Sequence, residues 1–200
     1  MLESVYRYIK QFLDITQEEF TLIAGYMQVR HFDRRVKLTD IGETEIYLNF
    51  IHKGLIRKYF FRNDEEVITQ IARERELVCS SVSFLTQVPS DYVVEAIEPT
   101  TVISISKENL EKIYALGPRM ERMGRLITID WLLRKEYWEN SRVQLEPKDR
   151  FLKFITDHPH FLQRVPQKYL ASYLDIKPET FSRYKRRVLN GELIAQPVIL

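Results

Sequence analysis

The apolar residues of this chain change period twice, and that change limits its fold more than any other feature. Val5, Tyr8, Ile9, Phe12 and Leu13 fall at i, i+3, i+4, i+7 and i+8, the spacing of one helix face. Thr16 followed by Glu19 predicts a capping box, with Phe20, Ile23 and Met27 as a second apolar stripe behind it. From Val29 the helical period is lost. Runs at 29–38, 45–52, 54–61, 66–72, 92–97 and 101–106 are rich in Val, Ile, Tyr, Phe and Thr, and turn residues separate them: Asp40-Ile41-Gly42, Lys53-Gly54, Asn63-Asp64, Pro89-Ser90 and Pro99. Short strands at intervals of roughly 8–12 residues predict an antiparallel barrel or jelly roll. The stretch 80–87 breaks this rhythm and reads as a short helix or loop between strands.

The helical period then returns. Residues 107–116 form a short helical stretch ended by Gly117, and Pro118 suits the first turn of a new helix. Residues 118–141 contain no further proline and one glycine. A helix of about 24 residues is about 36 Å long. Its apolar residues lie on two sides: Met120, Met123, Ile127, Trp131 and Trp138 on one, Leu126, Ile129, Leu133 and Tyr137 nearer the other. A helix apolar on two sides needs two packing partners. One is the barrel, and the other is expected to be the same helix of a second subunit, with Met120, Met123, Ile127 and Trp131 assigned to the dimer helix. Packing of both faces within one monomer is the alternative. Glu146-Pro147-Lys148 marks a boundary. The expected organisation is one domain over 1–117, a dimerisation helix and linker over 118–146, and a second domain over 147–200.

Charge is unevenly divided along the chain. Residues 147–200 carry ten Lys and Arg against five Asp and Glu, a net of +5, whereas 1–146 carry 20 against 23, a net of −3. A basic tail on a mildly acidic body points to an anionic partner. The single cysteine, Cys79, excludes an internal disulfide framework and a cysteine-held zinc or iron–sulfur site. His31 and His52 are isolated and read as strand-surface residues, and His158-Pro159-His160 as an interhelical loop. No cofactor or metal is expected. No apolar run approaches the ~18 residues that span a bilayer, and the first dozen residues mix charges without the apolar stretch of a secretion signal. A soluble, cytoplasmic protein without a membrane partner is the expectation. No glycine-rich phosphate loop, nucleophile elbow, metal cluster or acid pair suggests an enzyme.

The basic segment has the spacing of a helix-turn-helix. Two short helices that cross closely need a small residue at the contact, and Ala171 supplies it. Leu170 and Leu174 point inward one turn apart. Asp175 stands where the turn needs left-handed backbone, a position a short polar side chain tolerates. Ile176 plugs the turn, and Pro178 opens the second helix. Phe181, Tyr184 and Val188 form its inner face, while Glu179, Ser182, Arg183 and Arg186 show on the other side. Arginine matches guanine bidentately and glutamate accepts from cytosine. Lys177 and Thr180 approach phosphate at the helix start, and Lys185, Arg186 and Arg187 bind the backbone with the salt dependence that follows.

A β-rich first half, a long helix and the C-terminal YLASYLDIKPETFSRYKRR together resemble the cyclic-AMP receptor protein/fumarate-nitrate regulator (CRP/FNR) family of bacterial transcription factors. KGLIRKYF resembles that family's strand after a glycine turn. The resemblance spans nearly the whole chain. It implies an α+β fold: an N-terminal cyclic-nucleotide-binding-like antiparallel β-roll, a long dimerisation helix and a C-terminal winged helix-turn-helix. It also implies a homodimer on an inverted repeat with half-sites about 34 Å apart, and RNA polymerase as a partner. Glu179 and Arg183 fall on base-reading positions, and Pro178 stands where many members carry a third reader. NGELIAQPVIL leaves room only for a short or truncated wing.

The family's sensor cassette has Gly and Glu before a short helix and Arg with Ser or Thr after it. Ser80 and Ser81 stand at the first pair of positions, Ser90 and Asp91 at the second. With the arginine absent and a carboxylate beside its place, cyclic AMP is expected to bind weakly or not at all. Arg73 and Arg75 are candidate substitutes. Another small effector, or activity without one, remains open. A second reading of the whole is a ligand-binding signalling module whose basic domain contacts protein or membrane.

Overall fold

The computed structural model describes residues 1–193. Two helices lead, α1 (Leu2–Ile9) and α2 (Gln17–Ala24). Then come β1 (Met27–Phe32), β2 (Lys37–Thr39), β3 (Tyr47–Lys53), β4 (Ile56–Arg62), β5 (Glu65–Ala72), β6 (Leu77–Val78), the short helix α3 (Ser81–Thr86), β7 (Val93–Ala96) and β8 (Thr100–Ser106). Helices complete the chain: α4 (Lys107–Tyr114), α5 (Pro118–Gln144), α6 (Pro147–Asp157), α7 (Phe161–Arg164), α8 (Gln167–Tyr173) and α9 (Pro178–Leu189).

The strands form two four-stranded sheets, ordered β1-β8-β3-β6 and β2-β7-β4-β5. The registers between the described pairs are antiparallel. Ile51, Val78 and Val102 of the first sheet meet Ile56, Ala72 and Val94 of the second in one fully buried cluster, so alternate residues of both sheets fill the roll. The run expected over 29–38 is two strands. They are separated by a turn in which Arg35 adopts a φ of 69°, a left-handed conformation that ends pairing.

The capping box forms as the spacing requires: Thr16 N donates to Glu19 Oε2 at 2.9 Å and Glu19 N to Thr16 Oγ1 at 3.2 Å. α1 stops at Ile9, short of Phe12 and Leu13. Those two still pack on the same core as Val5 and Ile9, so their spacing reflects burial rather than continued helix. That core gathers α1, α2 and α4 around Phe50, Leu77 and Ile103, and Met120 and Met123 of α5 enter it, 5% and 4% exposed. Each contributes roughly 1.5–3 kcal/mol by burial. Gly124 permits the close approach of α4, since a Cβ there would lie 2.3 Å from Cε1 of Tyr114.

The chain divides into two compact units, one of 1–61 with 69–133, the other of 62–68 with the residues from 134 onward. The core of the second unit is aromatic: Phe151 meets Phe181 edge-on at 5.2 Å, and Trp138 stacks on Tyr173 at 4.2 Å. The tip of the β4–β5 hairpin belongs to this unit. Ser172 Oγ of α8 donates to Glu66 O at 2.9 Å and accepts from Ile68 N at 3.0 Å.

Candidate nucleic-acid interface

α8 and α9 are the two helices expected from the sequence, and the turn between them is built as a Schellman motif. Asp175 N donates to Ser172 O at 3.1 Å and Ile176 N to Ala171 O at 3.0 Å, with Asp175 at φ 50°. Leu170, Ala171, Leu174 and Phe181 are buried, so the apolar side of the hairpin is fixed against α6. Pro178 occupies the first turn of α9, where its missing N–H costs nothing.

Burying Phe181 sets the phase of α9. Glu179, Ser182, Arg183, Arg186 and Arg187 are exposed, as is Lys177 at the N-cap, while Thr180 and Lys185 are half-buried. The residues assigned to DNA from the sequence thus share one short element. Arg183 lies against the ring of Tyr184 at 5.6 Å, and Arg187 Nε pairs with Glu192 at 3.6 Å. Ser182 Oγ donates to Gln167 Oε1 at 3.4 Å, a weak tie between the two helices. At the C-terminal end of α9, Gly191 takes a φ of 73°. Residues 194–200, most of the stretch read as a short wing, lie outside the described residues.

The four residues of the sensor cassette divide into a buried pair and an outer pair. Ser80 and Ser90 are buried and bonded, Ser90 Oγ donating to Ser80 Oγ at 2.7 Å. Ser81 is half-buried and Asp91 is exposed. The carboxylate inside this region is one the sequence reading passed over. Glu45 is 2% exposed and accepts from Thr39 Oγ1 at 2.6 Å, Tyr47 N at 3.0 Å and Ser80 N at 3.3 Å. Burial pushes its carboxyl above the usual range, against the pull of those hydrogen bonds and of Arg30. The spacing of GETEIY holds no signal for this, because a glutamate at a strand start ordinarily faces water.

Arg73 bonds Glu76 at 3.3 Å, and Arg75 is exposed. Arg57 pairs with Glu95 at 3.0 Å across β4 and β7, and Tyr59 OH donates to the same carboxylate at 3.0 Å. Cys79 is buried, and burial pushes its thiol up. His31 is exposed beside Thr101, and His52 contacts Ser4. Among the described residues no group of three His, Cys, Asp or Glu is placed to hold a metal ion, and no helix is long and apolar enough to cross a membrane.

On α5 the structure takes Met120 and Met123 out of the face assigned to a second copy. Both fill the chain's own core, and Ile127 packs against it. Trp131 is half-buried. The exposed large apolar side chains of α5 are Ile129, Leu132, Leu133, Tyr137 and Val143, of which Ile129 lies half a turn around the helix from Met120.

No family model and no curated protein matches the sequence. Solved structures do match the fold. FixK2 from Bradyrhizobium japonicum is similar at a TM-score of 0.70 and 16% identity, over 82% of this chain and 86% of that one. The c-di-GMP-responsive global regulator CLP of Xanthomonas campestris is similar at 0.65 and 16%, over 89% and 94%. A protein from Eubacterium rectale assigned to the crp/fnr family of transcriptional regulators is similar at 0.69 and 13%, over 92% and 89%. The chain therefore has the fold of the CRP/FNR regulators, with the β-roll, long helix and helix-turn-helix in that order.

Proposed function

We propose that the chain is a sequence-specific DNA-binding transcription regulator, acting as a homodimer on an inverted repeat in the bacterial cytoplasm, with no catalytic activity. One observation carries this reading: α9 is anchored by buried Phe181 and turns Glu179, Arg183 and Arg186 outward on a single face. Glu179 and Arg183 read bases in the major groove, Lys177 and Thr180 meet phosphate at the start of the helix, and Lys185, Arg186 and Arg187 supply the electrostatic affinity. Residues 1–117 serve as sensor, 118–146 as dimerisation helix and linker, and 147–200 as the DNA-binding domain. The dimer forms through Ile129, Leu132, Leu133 and Tyr137, whose exposure on a long helix otherwise leaves an apolar stripe in water. RNA polymerase is the partner through which such a regulator acts.

The sensor no longer takes cyclic AMP. The Ser80 amide is already taken by the Glu45 carboxyl, and Ser80, Ser81, Ser90 and Asp91 supply no arginine to neutralise a phosphate placed there. Selection of bound fragments from random duplex DNA by the purified protein, with and without cyclic AMP, tests the whole reading. The expected result is an inverted repeat with centres about 34 Å apart, unchanged by the nucleotide. Failure to retain any duplex at low salt would move the basic segment to a protein or membrane partner. Enrichment that depends on cyclic AMP would overturn the assignment of the sensor.

A further inference from the structure

Arg150 is an arginine in the wrong phase for the surface. It shares a face of α6 with Phe154, four residues on, and is 5% exposed. The reason lies in what surrounds its guanidinium. Nη1 donates to Arg142 O at 2.6 Å and to Leu145 O at 2.9 Å. Nε donates to Leu174 O at 2.8 Å, and Nη2 to Asp175 O at 3.3 Å. The first two acceptors are at the C-terminal end of α5 and just beyond it, and the other two are in the turn that follows α8. Helix C-termini leave carbonyls without intrahelical partners and carry partial negative charge. Two such ends converge on one cation. Lysine, a point charge with three donors, does not reproduce a planar fork reaching four carbonyls.

The turn it grips leads directly into α9. Asp175 holds left-handed backbone, and Pro178 opens the helix three residues later. Fixing the carbonyls of Leu174 and Asp175 fixes the two peptide planes from which α9 departs. Fixing Arg142 O and Leu145 O refers those planes to the end of the long helix.

We infer that Arg150 is a positioning residue for DNA recognition, which touches no base and sets the direction of α9 relative to the C-terminus of α5. The inference rests on the DNA-binding reading above. It separates two properties that a stability defect would lower together. A misdirected α9 loses the base contacts, which demand hydrogen-bond geometry, while the basic side chains keep their attraction for any phosphate backbone.

The test uses the full-length protein and a duplex selected by the wild type from a random pool, beside a random duplex of equal length. Arg150→Lys is expected to bind the selected duplex about tenfold or more weakly, the scale of one lost bidentate base contact, with affinity for the random duplex within about twofold. Equal losses on both duplexes, or none on either, would overturn the inference. If Arg150→Lys does not fold, the wild type supplies the answer through the Arg150 Nε–H resonance, followed free and bound to the selected duplex. Slow exchange with water in both states supports the tie to Leu174. Rapid exchange in the bound state overturns it, because the grip would then be absent when DNA is read. Should the wild type select no duplex at all, the DNA-binding reading fails first and takes this inference with it. A wild type that selects DNA beside an unaffected Arg150→Lys removes the inference alone.

Discussion

Glu45 and Ser80 are joined by a hydrogen bond from the Ser80 amide to the Glu45 carboxylate at 3.3 Å, inside a region shielded from water. Arg30 and Cys79 are the other titratable groups that act on this carboxyl, the first attracting its charge and the second buried beside it. Burial raises the carboxyl above its ordinary 4.5 in the folded protein. Between the unfolded and folded values the native state therefore holds more proton than the unfolded chain, and its stability falls as pH rises through that window. Glu45→Gln removes the titration. The variant should gain on the wild type as pH rises above about 4.5, and the difference between them should become constant above the folded value. Urea unfolding of both proteins from about pH 4 to about pH 8 reads this directly. Any change in hydrogen bonding adds an offset independent of pH, so a difference that stays flat would contradict the assignment.

Arg183 and Arg187 are given different duties on α9. Arg183→Ala should cost roughly 1–3 kcal/mol on a selected site and relax preference at one base pair. Arg187→Ala should weaken binding to all sequences alike and reduce the salt slope by about one. Fluorescence anisotropy titrations over a range of salt, on selected and random duplexes, separate the two.

Met123 and Leu133 of α5 meet different surroundings, one 4% and the other 47% exposed. Met123→Ala should destabilise the fold by about 2–5 kcal/mol through the cavity it leaves, with the subunits still associated. Leu133→Glu should shift sedimentation toward the monomer while changing the stability of the isolated chain by no more than about 0.5 kcal/mol. If Leu133→Glu sediments like the wild type, the exposed stripe is not where two copies meet.

Asp175 holds a φ of 50° at the turn between α8 and α9. A β-branched residue there meets the full steric cost of left-handed backbone. Asp175→Val should therefore be less stable than Asp175→Gly by about 1–2 kcal/mol. Thermal unfolding of the pair gives the difference without reference to DNA.

The helix-turn-helix was legible because each position answers to a separate local rule: a small residue at the crossing, Asp175 in the turn, Pro178 at the helix start, Phe181 inward. The roll was legible as a class, through strands and turns at short intervals. The two-residue β6 was not, since two apolar residues carry no period. The faces of α5 were found, but Met120 and Met123, assigned to a second copy, fill the chain's own core. Periodicity shows that Met120 and Ile129 lie on different sides and is silent on which side meets α1, α2 and α4. Glu45 and Arg150 escaped for a shared reason. Each is a charged residue made acceptable in the interior by backbone groups from distant parts of the chain, and no residue-type pattern records where a main-chain amide or carbonyl will point.

The hydroxyl of Ser172 has an effect on β5 as well as on α8. β5 ends its sheet, and an end strand offers unpaired main-chain groups on which a strand of another molecule can build. Ser172 takes up the Ile68 amide and the Glu66 carbonyl, two adjacent rungs of that open ladder. The molecule thereby blunts its own adhesive margin with one small side chain, and a chain lacking it would betray the loss first as intermolecular clumping in concentrated solution.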